Sequence, residues 1–313
     1  MFTVENKDFG WEEIRLAAEA WGEWQPFFEQ TRQTLACLRQ ARQSSRLLTG
    51  NEVKEAATAF RYSHNLISAE ETQAWLNYWG LTVEDWMNCL RGQLLREHLA
   101  NHLDRIVAAH PVSDAEVEQV IKHYAICADK LGEWAQKLAG RAAVAAKSGS
   151  LDVGGQSPRQ MVAHIEAVFT QQRQQAVTPQ LLAAKIADNR LDWIRYDCRY
   201  VWFPEEHIAR EAAFCVTEDG LTLDEVAYDA RGIVQQWNFY LDELDTAARP
   251  YFLATCQGDC LGPVKLLEGF PLFSIVAKQM PVADDPCIRQ RAEEAIVGSL
   301  VEQAMNSCVK WVM

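Results

Sequence analysis

The run Trp193-Ile194-Arg195-Tyr196-Asp197-Cys198-Arg199-Tyr200-Val201-Trp202-Phe203 decides the fold class of this 313-residue chain. It is aromatic and β-branched with polar interruptions, and Pro204 closes it, which is the composition of a β-strand ended by a residue that cannot continue a ladder. Upstream the texture is different. From Trp11 onward apolar residues recur at helical spacing: Ile14, Leu16, Ala17, Ala20, Trp21 and Trp24 mark one helix, and Leu35, Leu38, Leu47 and Leu48 a second. Asn51 stands as a cap before Glu52-Val53-Lys54, while Ser68 with Glu71 and Thr82 with Asp85 repeat the capping-box spacing. His110-Pro111-Val112-Ser113 interrupts the pattern before a helix to about Lys147, and Ser148-Gly149-Ser150 with Gly154-Gly155 reads as a loop. Ser157 and Thr178-Pro179 open two more helices, so the first 190 residues read as all helix.

Downstream of Pro204 the spacing predicts a helix from Glu205 through Phe214 and a second, capped by Thr222, over Leu223 to Tyr228. Leu241 to Phe252 reads as helix, Gly258 to Gly262 as a turn, and Phe270 to Lys278 as a strand. Pro286 to the end returns to amphipathic helix, with Ile296, Leu300, Val301, Met305 and Val309 on one side. The expected class is α+β: a large helical region, a small sheet-bearing domain and a final helix. The expected division is 1–109 helical, 110–190 a helical connector or second subdomain, 191–283 sheet-bearing, and 284–313 a helix that packs on its own domain or on the N-terminal one.

Composition narrows the function. A formal charge of −13 repels phosphate backbones, so no nucleic-acid partner is expected. No signal-like apolar run opens the chain, and no stretch approaches the roughly 20 apolar residues of a membrane span, so no membrane insertion is expected. Nine cysteines, odd in number and scattered through apolar stretches, read as free thiols of a reducing, cytoplasmic compartment. Cys256 and Cys260 lack a second pair at ligand spacing, so neither a zinc site nor any other metal or cofactor is expected. His98 and His102 stand four apart on a predicted helix without a third ligand, and read as ordinary surface histidines. Six of the eleven tryptophans fall in residues 11–86. Two readings stand open for them: core aromatics, or, for Trp21, Trp24, Phe27 and Phe28, the edge of a partner groove.

The order of elements resembles the parvulin family of peptidyl-prolyl isomerases. Cys198 to Phe203 followed by Glu205 to Ala212 is similar to the family's opening strand and helix, and Leu221-Thr222-Leu223-Asp224-Glu225-Val226-Ala227 to the segment after it. Leu241 to Phe252 is similar to the helix before the final turn, and Gly262-Pro263-Val264-Lys265 with Phe270 to Val276 to the closing strand. The segment Asn51 to Leu103, with Glu70-Glu71-Thr72-Gln73-Ala74-Trp75-Leu76, resembles the helical domain of SurA-type foldases and their cytoplasmic bacterial relatives linked to peptide maturation and export. Residues 110–190 match nothing in that layout.

The resemblance implies two pocket histidines on the first and last strands. Here the first position reads Tyr200 and the last Leu272 or Phe273, so neither imidazole is kept. It also implies a peptide groove, with Tyr200, Trp202, Tyr240, Leu244, Leu272 and Phe273 as its side chains. The expectation is a foldase-like chaperone or recognition factor holding a polypeptide client or precursor peptide in a maturation or secretion pathway. Two alternatives accompany it: an active isomerase using Tyr200 and Cys198 as substitute polar groups, and a structural subunit of a maturation assembly. The sequence sets neither the client nor the oligomeric state.

Overall fold

The computed structural model describes residues 1–43, 48–151, 155–265 and 269–312. Leu47 and Gly154, used in the helix and loop readings, lie outside them. The chain starts with two short strands, β1 (Phe2–Val4) and β2 (Lys7–Phe9), and then runs through helices α1 (Trp11–Ala20), α2 (Trp24–Gln43), α3 (Gly50–Ser63), α4 (Ala69–Trp79) and α5 (Val83–His98). Helices α6 (Leu103–Ala109), α7 (Asp114–Cys127), α8 (Lys130–Lys147), α9 (Pro158–Ala176) and α10 (Pro179–Asp188) follow. Next come β3 (Arg195–Val201), α11 (Glu206–Thr217), α12 (Leu223–Asp229), β4 (Gln235–Tyr240), α13 (Arg249–Leu253), β5 (Cys260–Leu261) and β6 (Leu272–Gln279). Helix α14 (Pro286–Cys308) and strand β7 (Val309–Trp311) close the chain. The protein is α+β with a large helical part, as the patterning predicts.

Two compact units form: Met1–Gln172 with Val301–Met313, and Arg173–Leu300. In the first, α7, α8 and α9 bury Val117, Ile121, Leu138 and Ile165 in the same apolar cluster as Ile14, Phe27 and Leu90. Residues 110–172 therefore pack in one body with 1–109, and the remainder of the expected connector belongs to the second unit. Trp134, only 1% exposed, lies at the centre of that cluster with Phe27 edge-on at 5.4 Å and Trp24 at 6.0 Å. Helices α2 and α5 approach closely at Gly92, where an added Cβ would stand 2.4 Å from the Thr34 methyl.

Several starts follow the expected cap chemistry. Ser68 accepts from the Glu71 amide at 3.0 Å and Thr82 from the Asp85 amide at 3.0 Å, each with the reciprocal carboxylate bond. The α3 cap is a correction: Thr49, not Asn51, holds it, accepting from the Glu52 amide while Glu52 returns a bond to the Thr49 amide. The all-helical reading of the first 190 residues is corrected too. β1 pairs with β2, matching Phe2 to Phe9, and with β7, matching Phe2 to Trp311. Three-residue strands carry too little alternation to show in sequence, and this sheet closes between residues over 300 apart. For the same reason the last helix stops at Cys308 instead of running to the end.

The second unit is built on an antiparallel sheet of order β4-β3-β6-β5. One face carries α11 and α12, which bury Ala209, Leu223 and Val226 against Val201, Phe203 and Leu272. The opposite face is covered by α13 through Phe252, with Tyr196, Phe239, Phe273 and Ile275 beneath it. A third small cluster joins Leu182, Ile186 and Trp193 to Ile288 and Ala292 of α14. The expected helix over Leu241 to Phe252 is corrected to a 3-10 turn at Leu241–Glu243 and the five-residue α13. Pro250 sits in the first turn of α13, where it needs no backbone donor.

Candidate functional site

Strand β3 lies between β4 and β6, so its residues meet partners on both sides. Tyr200 is registered against Gln235 on β4 and against Phe273 on β6. Side chains alternate along a strand, so this register separates the two candidates left open by the sequence. Phe273 shares the face of Tyr200, with ring centroids 5.7 Å apart. Leu272 turns to the α11 and α12 face, fully buried beside Val201.

The α13 face is an aromatic floor. Phe252 and Phe273 lie 5.2 Å apart, Phe239 and Phe252 also 5.2 Å, and Tyr196 stacks on Phe239 at 5.5 Å. Phe239, Phe252 and Phe273 are all at most 3% exposed, so the floor is sealed. Two half-buried rings border it: Tyr200, and Trp237 at 6.3 Å from Tyr200 and 6.1 Å from Phe273. The Tyr196 hydroxyl donates to the Phe252 carbonyl at 2.8 Å, and Lys278 donates to the carbonyls of Leu253 and Thr255, which ties α13 to the sheet.

Of the six side chains the resemblance assigns to a groove, three lie on this face: Tyr200, Leu244 and Phe273, the last two in its core. Leu272 lies on the other face. Tyr240 also leaves it, because it alternates with buried Phe239 and lies beneath the Arg291 guanidinium, 4.3 Å above its ring. Arg291 itself is held by both carboxylate oxygens of Asp242 at 2.6 Å. Trp202, 36% exposed, lies beyond the end of β3 against Gly269, whose added Cβ would stand 2.8 Å from the indole nitrogen. Trp237 is the residue that sequence reasoning missed. Its signal is the run Gln235-Gln236-Trp237-Asn238-Phe239-Tyr240, in which polar Gln236 and Asn238 alternate with aromatic Trp237 and Phe239 as in a strand.

The face offers little acid–base chemistry. Its surviving polar groups are the Tyr200 hydroxyl, which donates to the Gln235 amide oxygen, and the Cys198 thiol. Burial, helped by the Asp197 charge, pushes that thiol up to about 12, and the residue is only 2% exposed. A folded thiol that keeps its proton above the ordinary value of 9.0 contributes stability present in full below that value and lost as pH rises from about 9 toward 12. An aromatic thiol reagent at neutral pH is accordingly expected to modify the exposed Cys256 and Cys287 promptly, and to reach Cys37, Cys89, Cys127 and Cys198 only after unfolding. Mass mapping that finds Cys198 modified early would contradict a sealed face.

What the face does offer is an edge. β4 ends the sheet, and among the described residues it pairs with β3 alone. Gln235, Gln236 and Asn238 on it are exposed, and no charge or proline guards its six residues. The outer row of backbone donors and acceptors on β4 therefore runs beside the Trp237 ring, with the Tyr200 ring one strand further in, 6.3 Å from Trp237.

The other residues singled out by sequence fall elsewhere. Trp24, Phe27 and Phe28 are at most 9% exposed and belong to the first unit's core around Trp134, so they border no open groove. Their helical spacing is that of a buried face, and the same spacing suits a groove edge, so only packing separates the two. Trp21 is half-buried; its indole donates to Glu166 at 2.9 Å, and Lys137 and Arg141 cover its ring at 4.2 and 4.8 Å. α5 ends at His98 and His102 sits in a separate 3-10 turn, so the two do not share a helix face. Cys256 is exposed and Cys260 half-buried, flanking a turn closed by the Cys256 amide donating to Asp259 at 2.6 Å. Among the described residues no group of three or more His, Cys, Asp or Glu is placed to hold a metal, and no helix is long and apolar enough to cross a membrane.

No protein-family model and no curated protein sequence matches the chain. Among solved structures it is similar to the peptidylprolyl isomerase PrsA of Bacillus anthracis, at 14% identity over 68% of this chain and 96% of that one, with a TM-score of 0.26. It is also similar to PrsA of Bacillus subtilis, at 14% identity over 64% of this chain and 90% of that one, with a TM-score of 0.25.

Proposed function

We propose that the sheet-bearing unit is a polypeptide-binding module of a foldase-like chaperone or recognition factor, and that it binds without isomerising. The observation that carries this is the open β4 edge with Trp237 at its middle and Tyr200 beside it. An extended client segment adds to the edge through main-chain hydrogen bonds, and one of its apolar or prolyl side chains rests on the two rings. The sealed floor of Phe239, Phe252 and Phe273 keeps those rings in place, which limits the entropy lost on binding. The sequence resemblance to parvulins supports the same reading, and on it we place the protein in a peptide or protein maturation or secretion pathway of the bacterial cytoplasm, with a precursor peptide or unfolded chain as client.

Binding is favoured over turnover because amide rotation has a barrier of ~18–20 kcal/mol, lowered by polar groups placed at a twisted amide in a desolvated pocket. Here the Cys198 thiol is buried beneath the surface, and the Tyr200 hydroxyl is engaged with Gln235. A protease-coupled proline-peptide assay is expected to give no rate above background, in the wild type and in Tyr200→Phe alike. Titration with extended peptides carrying Leu, Phe or Pro is expected to show binding that Trp237→Ala weakens at least tenfold, about 1.4 kcal/mol or more, as for an interface aromatic. No binding up to about 1 mM, where ~4 kcal/mol of affinity would register, sinks the proposal.

A further inference from the structure

In the first unit, helices α3 and α5 border two adjoining cavities of about 560 and 510 Å³. Lys54 and Met87 line both, so the two form one trough along the helix pair. Its walls are apolar: Leu38, Val53 and Leu95 in one cavity, Ala57, Leu76 and Trp86 in the other. Its charged lining is of one sign. Arg42 and Arg91 border the first cavity, Arg61 the second, and Lys54 stands between them, while no Asp or Glu lines either among the described residues. In a chain of formal charge −13 that local excess runs against the whole.

Three of these cations are not spent on neighbouring carboxylates, whereas the charge of Arg61 reaches the Glu71 carboxylate and helps to lower it. Among the described residues none of the four forms an ion pair, although acids elsewhere in the unit pair with Arg32, Arg39, Lys137 and Arg141. Arg42, Lys54 and Arg91 are exposed, and among the described residues Arg91 hydrogen-bonds only the Asn88 amide oxygen, at 3.5 Å. Arg61 donates to the carbonyls of Leu66 and Ile67. Glu52, two residues before Lys54 on α3, is turned onto its own helix cap, while Glu55, next to Lys54, is exposed and lines neither cavity.

We infer that this trough docks an amphipathic helix of a partner polypeptide whose apolar stripe is flanked by Asp or Glu. The walls are helices with no free strand edge, so an occupant must satisfy its own backbone hydrogen bonds, which selects a helix over an extended chain. Apolar floor and cationic rim together match an apolar stripe with acidic flanks. Cations spread over two adjoining cavities suit several carboxylates in series better than the single head group of a fatty acid. The 14 residues of α3, about 21 Å at 1.5 Å per residue, offer the length of four turns.

The test uses the full chain and a fluorescently labelled 18-residue helix with leucines on one face and glutamates beside them. Anisotropy titration is expected to show binding that weakens with salt and at least about tenfold preference over the same peptide with lysines for the glutamates. Charge reversal of three exposed side chains, Arg42→Glu, Lys54→Glu and Arg91→Glu together, is expected to lower affinity tenfold or more with an unchanged thermal melt. Met87→Gln, on the shared floor, is expected to weaken binding without altering the charge preference. Trp237→Ala leaves this binding unchanged, so failure here and failure of the β4 proposal are read separately. Equal affinity for acidic and basic peptides, unaltered binding in the triple variant, or binding of decanoate where the acidic helix fails to bind overturns the inference.

Discussion

Phe273→Ala is expected to remove about 3–5 kcal/mol from the stability of the sheet-bearing unit, the range for deleting a fully buried ring. Phe273 is 0% exposed and touches rings on three sides: Phe252 at 5.2 Å, Tyr200 at 5.7 Å and Trp237 at 6.1 Å. Its loss opens a cavity that β3 and β6 cannot close, because their spacing is held by a ladder registered from Arg195 to Val201. Denaturant unfolding followed by the fluorescence of a variant retaining Trp237 measures the loss. A change below about 1 kcal/mol would mean that the ring is not packed as described. The same substitution is expected to weaken peptide binding, since Trp237 then loses its support. Phe273→Leu refills most of the volume and is expected to recover the larger part of both losses.

In the first unit, Trp134→Ala is expected to cost a comparable ~3–5 kcal/mol, and Trp134→Phe distinctly less. The alanine variant removes the ring against which Phe27 and Trp24 pack, and it also removes the indole donor to Glu23 at 2.7 Å. The phenylalanine variant keeps much of the packing and loses only the donor. Burial raises the Glu23 carboxyl, but bonds from Lys137 and Trp134 outweigh it and hold the group below its ordinary 4.5. A carboxyl lowered in the folded state contributes stability present above 4.5 and lost as the pH falls below it. Stability measured between about pH 5 and 3 is therefore expected to fall less steeply in Trp134→Phe than in the wild type, because the Trp134 share of that lowering is gone. An unchanged slope would show that Lys137 alone sets the carboxyl.

The Phe273 and Leu272 pair shows how far the sequence could be read. Phe270 to Lys278 announces a strand by composition, but both residues are apolar, and a slip of one exchanges the two faces. The choice is made by the pairing of β6 with β3, a contact between residues about 70 positions apart in the chain, which no local pattern reports. Trp237 was missed for a related reason. No element is expected from the sequence between Tyr228 and Leu241, and it is pairing with β3 that makes Gln235–Tyr240 an edge strand.

What the sequence determined alone is whatever rests on bonds between near neighbours: the helical period of the first unit, the Ser68, Thr82 and Thr222 caps, and the strand character of β3. Hydrogen bonds three or four residues apart are specified by the residues that make them. What only the tertiary structure decided is whatever rests on distant partners: the sheet joining Phe2 to Trp311, the burial of Trp24, Phe27 and Phe28 around Trp134, and the face on which Tyr200 meets Phe273. Apolar side chains state that they will be buried, and only the fold states against what.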